Sequence, residues 1–372
     1  MGETSKIEWT DATFNPWRGC RALSPACDNC YAKTLVEGRL GESFDARTRA
    51  AESTWKQPLA WNRKAAKLGI RYRVFCASLA DVFDAEVPDD WRDDLFALIA
   101  ATPHLDWLLL TKRPKVMRDY LGKLIVPHPL CQGTGCNYCG DGDGRVMWKS
   151  HPFPNVWLGT TVENQAMADL RIPHLLETPA AVRFLSCEPL LGPLNLNSDL
   201  GGTRWIGGQR GCRGTHQHRQ PHEDGSPGHR LHHHHDERCR PGLNWVIAGG
   251  ESGPKARPSH PDWFRSLRDQ CAAAGVPFLM KQWGEWLPGQ NEVHPNCDGR
   301  KVAHHQNGTW GLLGGKIRAH NYVTWEPNGT LHHGDMRRKH HTVAAWATRV
   351  GKKAAGRLLD GVLHDALPEV RS

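Results

Sequence analysis

The sequence predicts an α/β protein built as a partial (β/α)6 barrel, similar to a TIM barrel, with about six parallel strands. Six short apolar runs recur along the chain, and each is apolar on both faces, as strands covered by helices require. Helical segments with clear start signals lie between several of these runs. Alternation of strand and helix at this spacing is typical of a parallel sheet or barrel.

The predicted strands are, in chain order, 72–81, 105–114, 155–164, 182–190, 243–253 and 276–286. Residues 13–19 are compatible with a short first strand that leads into a cysteine-rich loop. The predicted helices 88–102, 114–124 and 261–275 all begin with proline, and the last ends in glycine. The strand and helix signals therefore follow one another in the order that a barrel needs.

Polar residues stand where the predicted strands end. Because the carboxyl ends of parallel barrel strands share one rim, we expect these side chains to lie together: Ser78, Asp81, Lys112, Thr161, Glu163, Glu188, Glu251, Ser252 and Gln282. Each one, taken alone, is equally compatible with a helix cap or a salt bridge at the rim.

Two segments interrupt the barrel pattern, which we assign to residues 1–286. Residues 127–153 are rich in cysteine and glycine, and residues 197–242 are rich in cysteine and histidine. Both are predicted to be loop insertions. Residues 287–372 are predicted to form a C-terminal extension that contains a basic helix at 342–363.

Composition restricts the class of protein. The 372-residue chain has no apolar run of about 18 residues, so we expect no membrane span, and its first residues lack the apolar core of a secretion signal, so we expect a cytoplasmic protein. A net charge of +8 is compatible with a nucleic-acid or phosphate-bearing partner and equally with a mildly basic surface. Twelve cysteines without a signal peptide favour metal ligation over disulfides.

Three of these cysteines lie in one loop, FNPWRGCRALSPACDNCYA, with the spacing C-x6-C-x2-C. They are Cys20, Cys27 and Cys30. Three thiolates on a four-iron cluster leave one iron without a protein ligand, free to bind a small molecule. The alternative is a zinc site that takes its fourth ligand from a distant part of the chain.

The flanks of this loop, NPWRGC and CDNCYA, resemble the cluster loop of the radical S-adenosylmethionine (SAM) branch that includes spore photoproduct lyase. The usual spacing there is C-x3-C-x2-C, from which the first interval departs. CASLADVFDAE (76–86), LLLTKRPKVMRDYL (108–121) and FLSCEPLLGPL (184–194) resemble later segments of that branch in the same order. Most of the chain resembles a phage-associated family of three-cysteine, radical-SAM-like proteins of unknown function.

The resemblance implies a barrel of the radical SAM type, a 4Fe-4S cluster, S-adenosylmethionine as co-substrate and an external electron donor. It also implies a nucleic-acid or nucleotide substrate and expression from a phage or prophage in a bacterial host. A partner protein is a further option. Cys20, Cys27 and Cys30 would hold the cluster, and Tyr31 matches the aromatic residue that packs beside it.

The remaining site residues also follow from the resemblance. Lys112 is the candidate for the SAM carboxylate and a catalytic residue, and Ser78 and Glu188 are candidates for SAM or substrate contacts. Cys76 is similar to a strand cysteine that donates a hydrogen atom to a substrate radical, although an inert buried cysteine is the commoner case. The G-G-E element at 249–251 lies on a later strand than in typical members, so its usual role toward the SAM amine is not carried over.

The first insertion carries a second metal candidate. Cys131, Cys136 and Cys139 would supply three zinc ligands, and the fourth would come from His128, Cys212, Cys239 or the histidines at 232–235. An auxiliary iron–sulfur cluster and free cysteines in flexible loops remain open. Two alternatives to an active enzyme also stay open: a non-catalytic, metal-stabilised protein that binds nucleic acid or a partner, and a barrel that has lost turnover.

Overall fold

The computed structural model describes residues 4–127, 145–197, 205–206, 242–289, 303–306, 309–312, 322–333 and 345–369. Its main feature is a seven-stranded parallel sheet that curls into a half-barrel. The predicted α/β class is therefore confirmed, and the sheet is compatible with the predicted partial barrel.

The strands of this sheet follow one another in space as they do along the chain. They are β1 (Ala12–Phe14), β2 (Tyr72–Cys76), β3 (Leu105–Thr111), β4 (Val156–Thr161), β5 (Val182–Cys187), β6 (Trp245–Gly249) and β7 (Phe278–Gln282). All six predicted apolar runs contain a strand, and every residue of β4, β5 and β6 is buried, as strands covered on both faces must be. The short first run adds a seventh strand at one edge.

Eight helices of at least four residues lie in the described part of the chain. They are α1 (Tyr31–Leu35), which continues as a π-helical turn (Val36–Leu40), α2 (Glu52–Trp55), α3 (Gln57–Leu68), α4 (Asp89–Ala100), α5 (Pro114–Leu121), α6 (Gln165–Leu176), α7 (Pro261–Ala274) and α8 (Lys352–Ala355). The helices predicted from their leading prolines correspond to α4, α5 and α7. In the described residues, no helix is long and apolar enough to cross a membrane.

The half-barrel has an apolar cluster on each face of its sheet. Alternate strand residues pack against the helices in the larger cluster, and the residues between them form a smaller cluster on the concave face. The smaller cluster includes Phe75, Trp157 and Trp245, and Trp9 from the N-terminal segment packs on it with its ring 4.8 Å from that of Phe75. The N-terminal segment therefore covers part of the concave face.

The region after the half-barrel forms a four-stranded antiparallel sheet. Its strands are β8 (Trp286–Pro288), β9 (Tyr322–Trp325), β10 (Leu331–His333) and β11 (Ala345–Arg349), in the spatial order β8-β11-β9-β10. Short antiparallel pairs also join Trp17–Arg18 with Thr48–Arg49, Ile125–Pro127 with Arg145–Met147, Ala303–Gln306 with Thr309–Leu312, and Leu358–Leu359 with Val362–Leu363.

The basic helix predicted at 342–363 is wrong. The segment contains β11, the four-residue helix α8 and two short strands. Ala345 and Ala347 are buried against Val323 and Trp325 of β9, an alternation that suits a strand. The segment also cannot be one helix because Gly351 and Gly356 both take positive φ angles.

The chain near its C-terminus runs along β7, the last strand of the half-barrel. The backbone N–H of Met280 donates to the His364 carbonyl at 3.0 Å, and Leu279 and Asp365 form an antiparallel bridge. The indole of Trp245 donates to the Ala366 carbonyl at 2.9 Å. This outer strand therefore has a backbone partner on its far side.

A three-cysteine cavity at the rim of the sheet

A cavity of about 880 Å³ lies at the carboxyl ends of the parallel strands. Its walls include the last residue of β4 and of β7 and residues that directly follow β2, β3, β5 and β6, together with the three-cysteine loop. Cys20, Cys27 and Cys30 all line it, all are partly exposed, and none is in a disulfide. The volume is typical of a site for a small molecule or cofactor.

The Cys20 end of the loop is fixed by close backbone packing and by an ion pair. Gly19 has a φ angle of +99°, and a Cβ there would lie 1.8 Å from the Ala46 carbonyl oxygen, so only glycine fits. The guanidinium of Arg113 lies with Nη1 3.5 Å from the Cys20 sulfur and 3.0 Å from Asp81. Cys20 is thereby held beside the end of β3.

The buried carboxylate of Asp81 accepts three hydrogen bonds from residues at the end of β3 and just after it. Its carboxylate accepts hydrogen bonds from the Thr111 hydroxyl at 2.6 Å and from the backbone N–H of Lys112 at 3.0 Å, besides that from Arg113. The pKa of the Cys20 thiol is raised to about 12. Burial is the largest cause and the nearby Asp81 carboxylate is the second, and Arg113 only partly offsets them. A metal that binds Cys20 must therefore displace its proton.

The middle of the loop is attached to the end of β4. The backbone N–H of Ala26 donates to Glu163 at 3.3 Å, and Glu163 pairs with Arg171 of α6 at 2.9 Å. Both side chains are almost completely buried. Glu163, which the sequence placed at the rim, therefore holds the loop and does not line the cavity.

A third attachment, which we call the Arg257 clasp, is formed by Arg257, Glu251, Pro25, Asp28 and Asn29. The Arg257 guanidinium donates to Glu251 at 2.6 and 2.8 Å, to Asp28 at 3.0 Å and to the Pro25 carbonyl at 2.8 Å. Glu251 also accepts from the Arg257 backbone N–H at 2.7 Å and from Asn29 at 3.1 Å. Burial opposes ionisation of Glu251, but the hydrogen bonds from Arg257 outweigh it and lower its pKa. The clasp thus fixes the loop on either side of Cys27.

Glu251 reaches the loop because two backbone segments approach closely beneath it. A Cβ on Gly250 would lie 2.0 Å from the Trp283 carbonyl oxygen, so a side chain at this position would separate the end of β6 from the end of β7. The G-G-E element therefore allows the ends of β6 and β7 to approach each other and places Glu251 beside the loop.

A second group of rim residues faces the cavity. The Tyr31 hydroxyl donates to the Ser78 carbonyl at 2.7 Å, and the Ser78 side chain is hydrogen-bonded to Asn15 at 3.0 Å. Lys112 is half-buried in the cavity wall, and within the described part of the chain its ammonium has no hydrogen-bond or ion-pair partner. A half-buried unpaired cation is costly without an anion, so Lys112 favours an anionic ligand.

Glu188 lies on another wall of the same cavity. Its carboxylate accepts from Lys281 at 2.6 Å and from the Gln282 side chain at 2.6 Å, and Gln282 also donates to the Ser252 hydroxyl at 3.0 Å. The structure therefore brings Tyr31, Ser78, Lys112 and Glu188 to one cavity with the three cysteines.

Cys76 is not among these cavity residues. It is completely buried at the end of β2 in the cluster that packs on the helices, whereas its neighbour Phe75 lines the cavity. Burial raises the pKa of the Cys76 thiol well above its ordinary value. Cys76 and Phe75 point to opposite faces of the sheet because successive side chains alternate along a strand. Its role as a hydrogen donor stays a prediction that this geometry does not support.

The second metal candidate lies outside the described residues. This applies to its ligands Cys131, Cys136, Cys139, Cys212 and Cys239, to His128, and to the histidines at 232–235. Of the two predicted insertions, the structure describes residues 127, 145–153, 197, 205–206 and 242, and Trp205 and Ile206 are buried.

A single metal ion and a multi-iron cluster make different demands on the three-cysteine loop. Nowhere in the described ranges do three histidine, cysteine, aspartate or glutamate side chains converge closely enough to hold one metal ion. In a four-iron cluster each thiolate binds a different iron, so the sulfurs must border one space without meeting at a point. Cys20, Cys27 and Cys30 border one cavity in this way.

Several residues that build the site were not anticipated from the sequence. They are Asn15, Arg113, Arg257 and Lys281. Arg113 and Lys281 directly adjoin residues that were singled out, Lys112 and Gln282, so strand-end position was a usable signal for them. Asn15 opens the NPWRGC motif, so that motif was a usable signal for it. Arg257 lies six residues after Glu251, a separation that carries no signal.

Comparison with known proteins gave one match. The family model described as "Protein of unknown function (DUF5131)" matches residues 4–368. Searches of curated proteins and of solved structures found no match.

Proposed function

The chain belongs to the DUF5131 family of unknown function, and we propose that it is a radical SAM enzyme whose Cys20, Cys27 and Cys30 hold a 4Fe-4S cluster. The observation that carries this proposal is the joint position of three partly exposed thiols on one cavity at the carboxyl rim of a parallel half-barrel. This rim is where barrel enzymes carry their chemistry. The fold is accordingly proposed to be of the radical SAM type.

The cluster, when bound, supplies the electron that splits the sulfonium bond of S-adenosylmethionine. The protein binds and orients the reactants and keeps water away from them. Lys112 would pair with the SAM carboxylate, because its ammonium faces the cavity without a partner among the described residues. Ser78 and Glu188 would contact SAM or the substrate, and Tyr31 would pack beside the cluster.

The proposed substrate is a nucleic acid or a nucleotide. Lys6 and Lys352 are exposed at the cavity, come from opposite ends of the sequence and have no ion pair within the described ranges. Together with the net charge of +8 they favour a phosphate-bearing substrate. The proposal also includes an external electron donor, a partner protein, zinc in the insertions, and a phage or prophage origin in a bacterial cytoplasm.

The test is anaerobic reconstitution with iron and sulfide, followed by dithionite and SAM, with 5′-deoxyadenosine measured by mass spectrometry. We expect 5′-deoxyadenosine from the wild type and none from Cys27→Ala. Cys271→Ala is the matched control, since Cys271 is a free buried cysteine on α7 outside the cavity. A protein that takes up zinc only and yields no 5′-deoxyadenosine would refute the proposal and favour a non-catalytic binding protein.

A further inference from the structure

We propose that Arg113 sets the reduction potential of the cluster through its contact with the Cys20 sulfur, an inference that rests on the proposed function. Nη1 of Arg113 lies 3.5 Å from that sulfur, within the range of an N–H···S hydrogen bond. Arg113 is therefore a positioning and tuning residue that acts on the cluster through one of its ligands.

The guanidinium is held in place from three sides. Nη2 donates to the Arg21 carbonyl at 2.8 Å, Nη1 donates to Asp81 at 3.0 Å, and Asp84 lies 3.4 Å from Nη2. The side chain is only 11% exposed. A cation fixed in this way cannot move away from the sulfur without breaking several charged contacts.

Among the described contacts, the hydrogen bond from Arg113 reaches the sulfur of Cys20 and not that of Cys27 or Cys30. In the residues that the structure describes, no hydrogen bond reaches the sulfur of Cys27 or Cys30. The Arg257 clasp holds the loop on either side of Cys27 and, among the described contacts, includes no hydrogen bond to the sulfur of Cys27 or Cys30. Among the three cysteines, Cys20 is therefore the one whose sulfur accepts a hydrogen bond from a cationic side chain of the described residues.

A cation at a cluster ligand has a defined effect. Reduction adds a negative charge, and a nearby positive charge or a hydrogen bond to the sulfur stabilises the reduced state, which raises the potential. The low exposure of Arg113 strengthens this effect relative to a surface charge. Asp81 and Asp84 are present in every Arg113 variant, so the variants report the loss of the cation itself.

The experiment is an anaerobic redox titration of the reconstituted full-length protein without SAM, followed by electron paramagnetic resonance. The variants are Arg113→Gln, which removes the charge, and Arg113→Lys, which keeps the charge but loses the planar guanidinium group and its several N–H donors. Arg118→Gln is the charge-matched control, because Arg118 lies on α5, the helix that Arg113 directly precedes, and pairs with Asp119 and Glu177 away from the cavity.

We expect Arg113→Gln to lower the ratio of reduced to oxidised cluster about tenfold at a fixed potential, which for one electron is a shift of about 59 mV. Arg113→Lys should shift less, and Arg118→Gln should match the wild type. If Arg113→Gln loses its iron, Arg113→Lys decides: a potential below that of the wild type supports the proposal, and an unchanged one overturns it. Iron-loaded Arg113→Gln with the wild-type potential would refute only the role of Arg113, whereas a wild type without iron would refute the proposed function as well.

Discussion

Replacing Arg257 by alanine removes the centre of the Arg257 clasp. The substitution deletes the guanidinium that joins Glu251 to Pro25 and Asp28. It leaves the Glu251 carboxylate, which is 5% exposed, with Asn29 and a backbone N–H as its remaining partners. We expect the loop around Cys27 to keep only the hydrogen bonds of Asn29 as its attachment to the segment after β6.

The magnitude follows from the burial of the two partners. Removing one member of a fully buried ion pair costs about 3–5 kcal/mol, and Arg257 is about a third exposed, so we expect about 3 kcal/mol at pH 7. Arg268→Ala is the control. Its partners Asp269 and Asp360 are exposed by 65% and 35%, so it should cost below about 1 kcal/mol.

The assay is urea denaturation of both variants and the wild type from pH 7 down to pH 3. The pKa of Glu251 is lowered in the folded protein, so its ionic contribution is present above its ordinary value of 4.5 and is lost as the pH falls through the lowered pKa. The difference between Arg257→Ala and the wild type should therefore shrink below pH 4.5. An equal loss of stability in Arg257→Ala and Arg268→Ala, or a difference independent of pH, would refute this reasoning.

Three further predictions concern the rim. Cys76→Ala should lower the free energy of unfolding by about 1–2 kcal/mol and leave the yield of 5′-deoxyadenosine and the product unchanged; a changed product would restore its role as a hydrogen donor. Gly250→Ala should destabilise the protein in thermal unfolding by about 3 kcal/mol because its Cβ would meet the Trp283 carbonyl oxygen, whereas Gly38→Ala, with open space around it, should be neutral. Lys112→Met should weaken SAM binding in calorimetry about tenfold or more, a loss that the exposed Lys115→Met should not reproduce.

The strands of the half-barrel could be predicted because their signal is local. Runs such as 182–190 are apolar on both faces, which few structures other than a covered parallel strand require. The error at 342–363 has a local cause too. Its alanines suit a helix by propensity, but Ala345 and Ala347 pack on β9, a contact that only the tertiary fold provides.

The candidate site was predicted in part for the same reason. Cysteine spacing and strand-end position identified the residues that face the cavity, such as Lys112 and Glu188. The same rule also selected Glu163 and Glu251, which hold the loop, because position at a rim does not reveal which partner a carboxylate has. The direction of the Cys76 side chain could have been predicted from the sequence. Because side chains alternate along a strand, a strand that points Phe75 into the barrel must point Cys76 outward.

The pairing of residues 364–366 with β7 has a consequence for how the protein behaves in concentrated solution. An open half-barrel ends in a strand whose free N–H and C=O groups are a template for intermolecular strand addition. Here the backbone of His364 and the bridge to Asp365 occupy that template. We therefore expect a chain shortened before residue 358 to expose the edge of β7 and to aggregate more readily than the full-length protein.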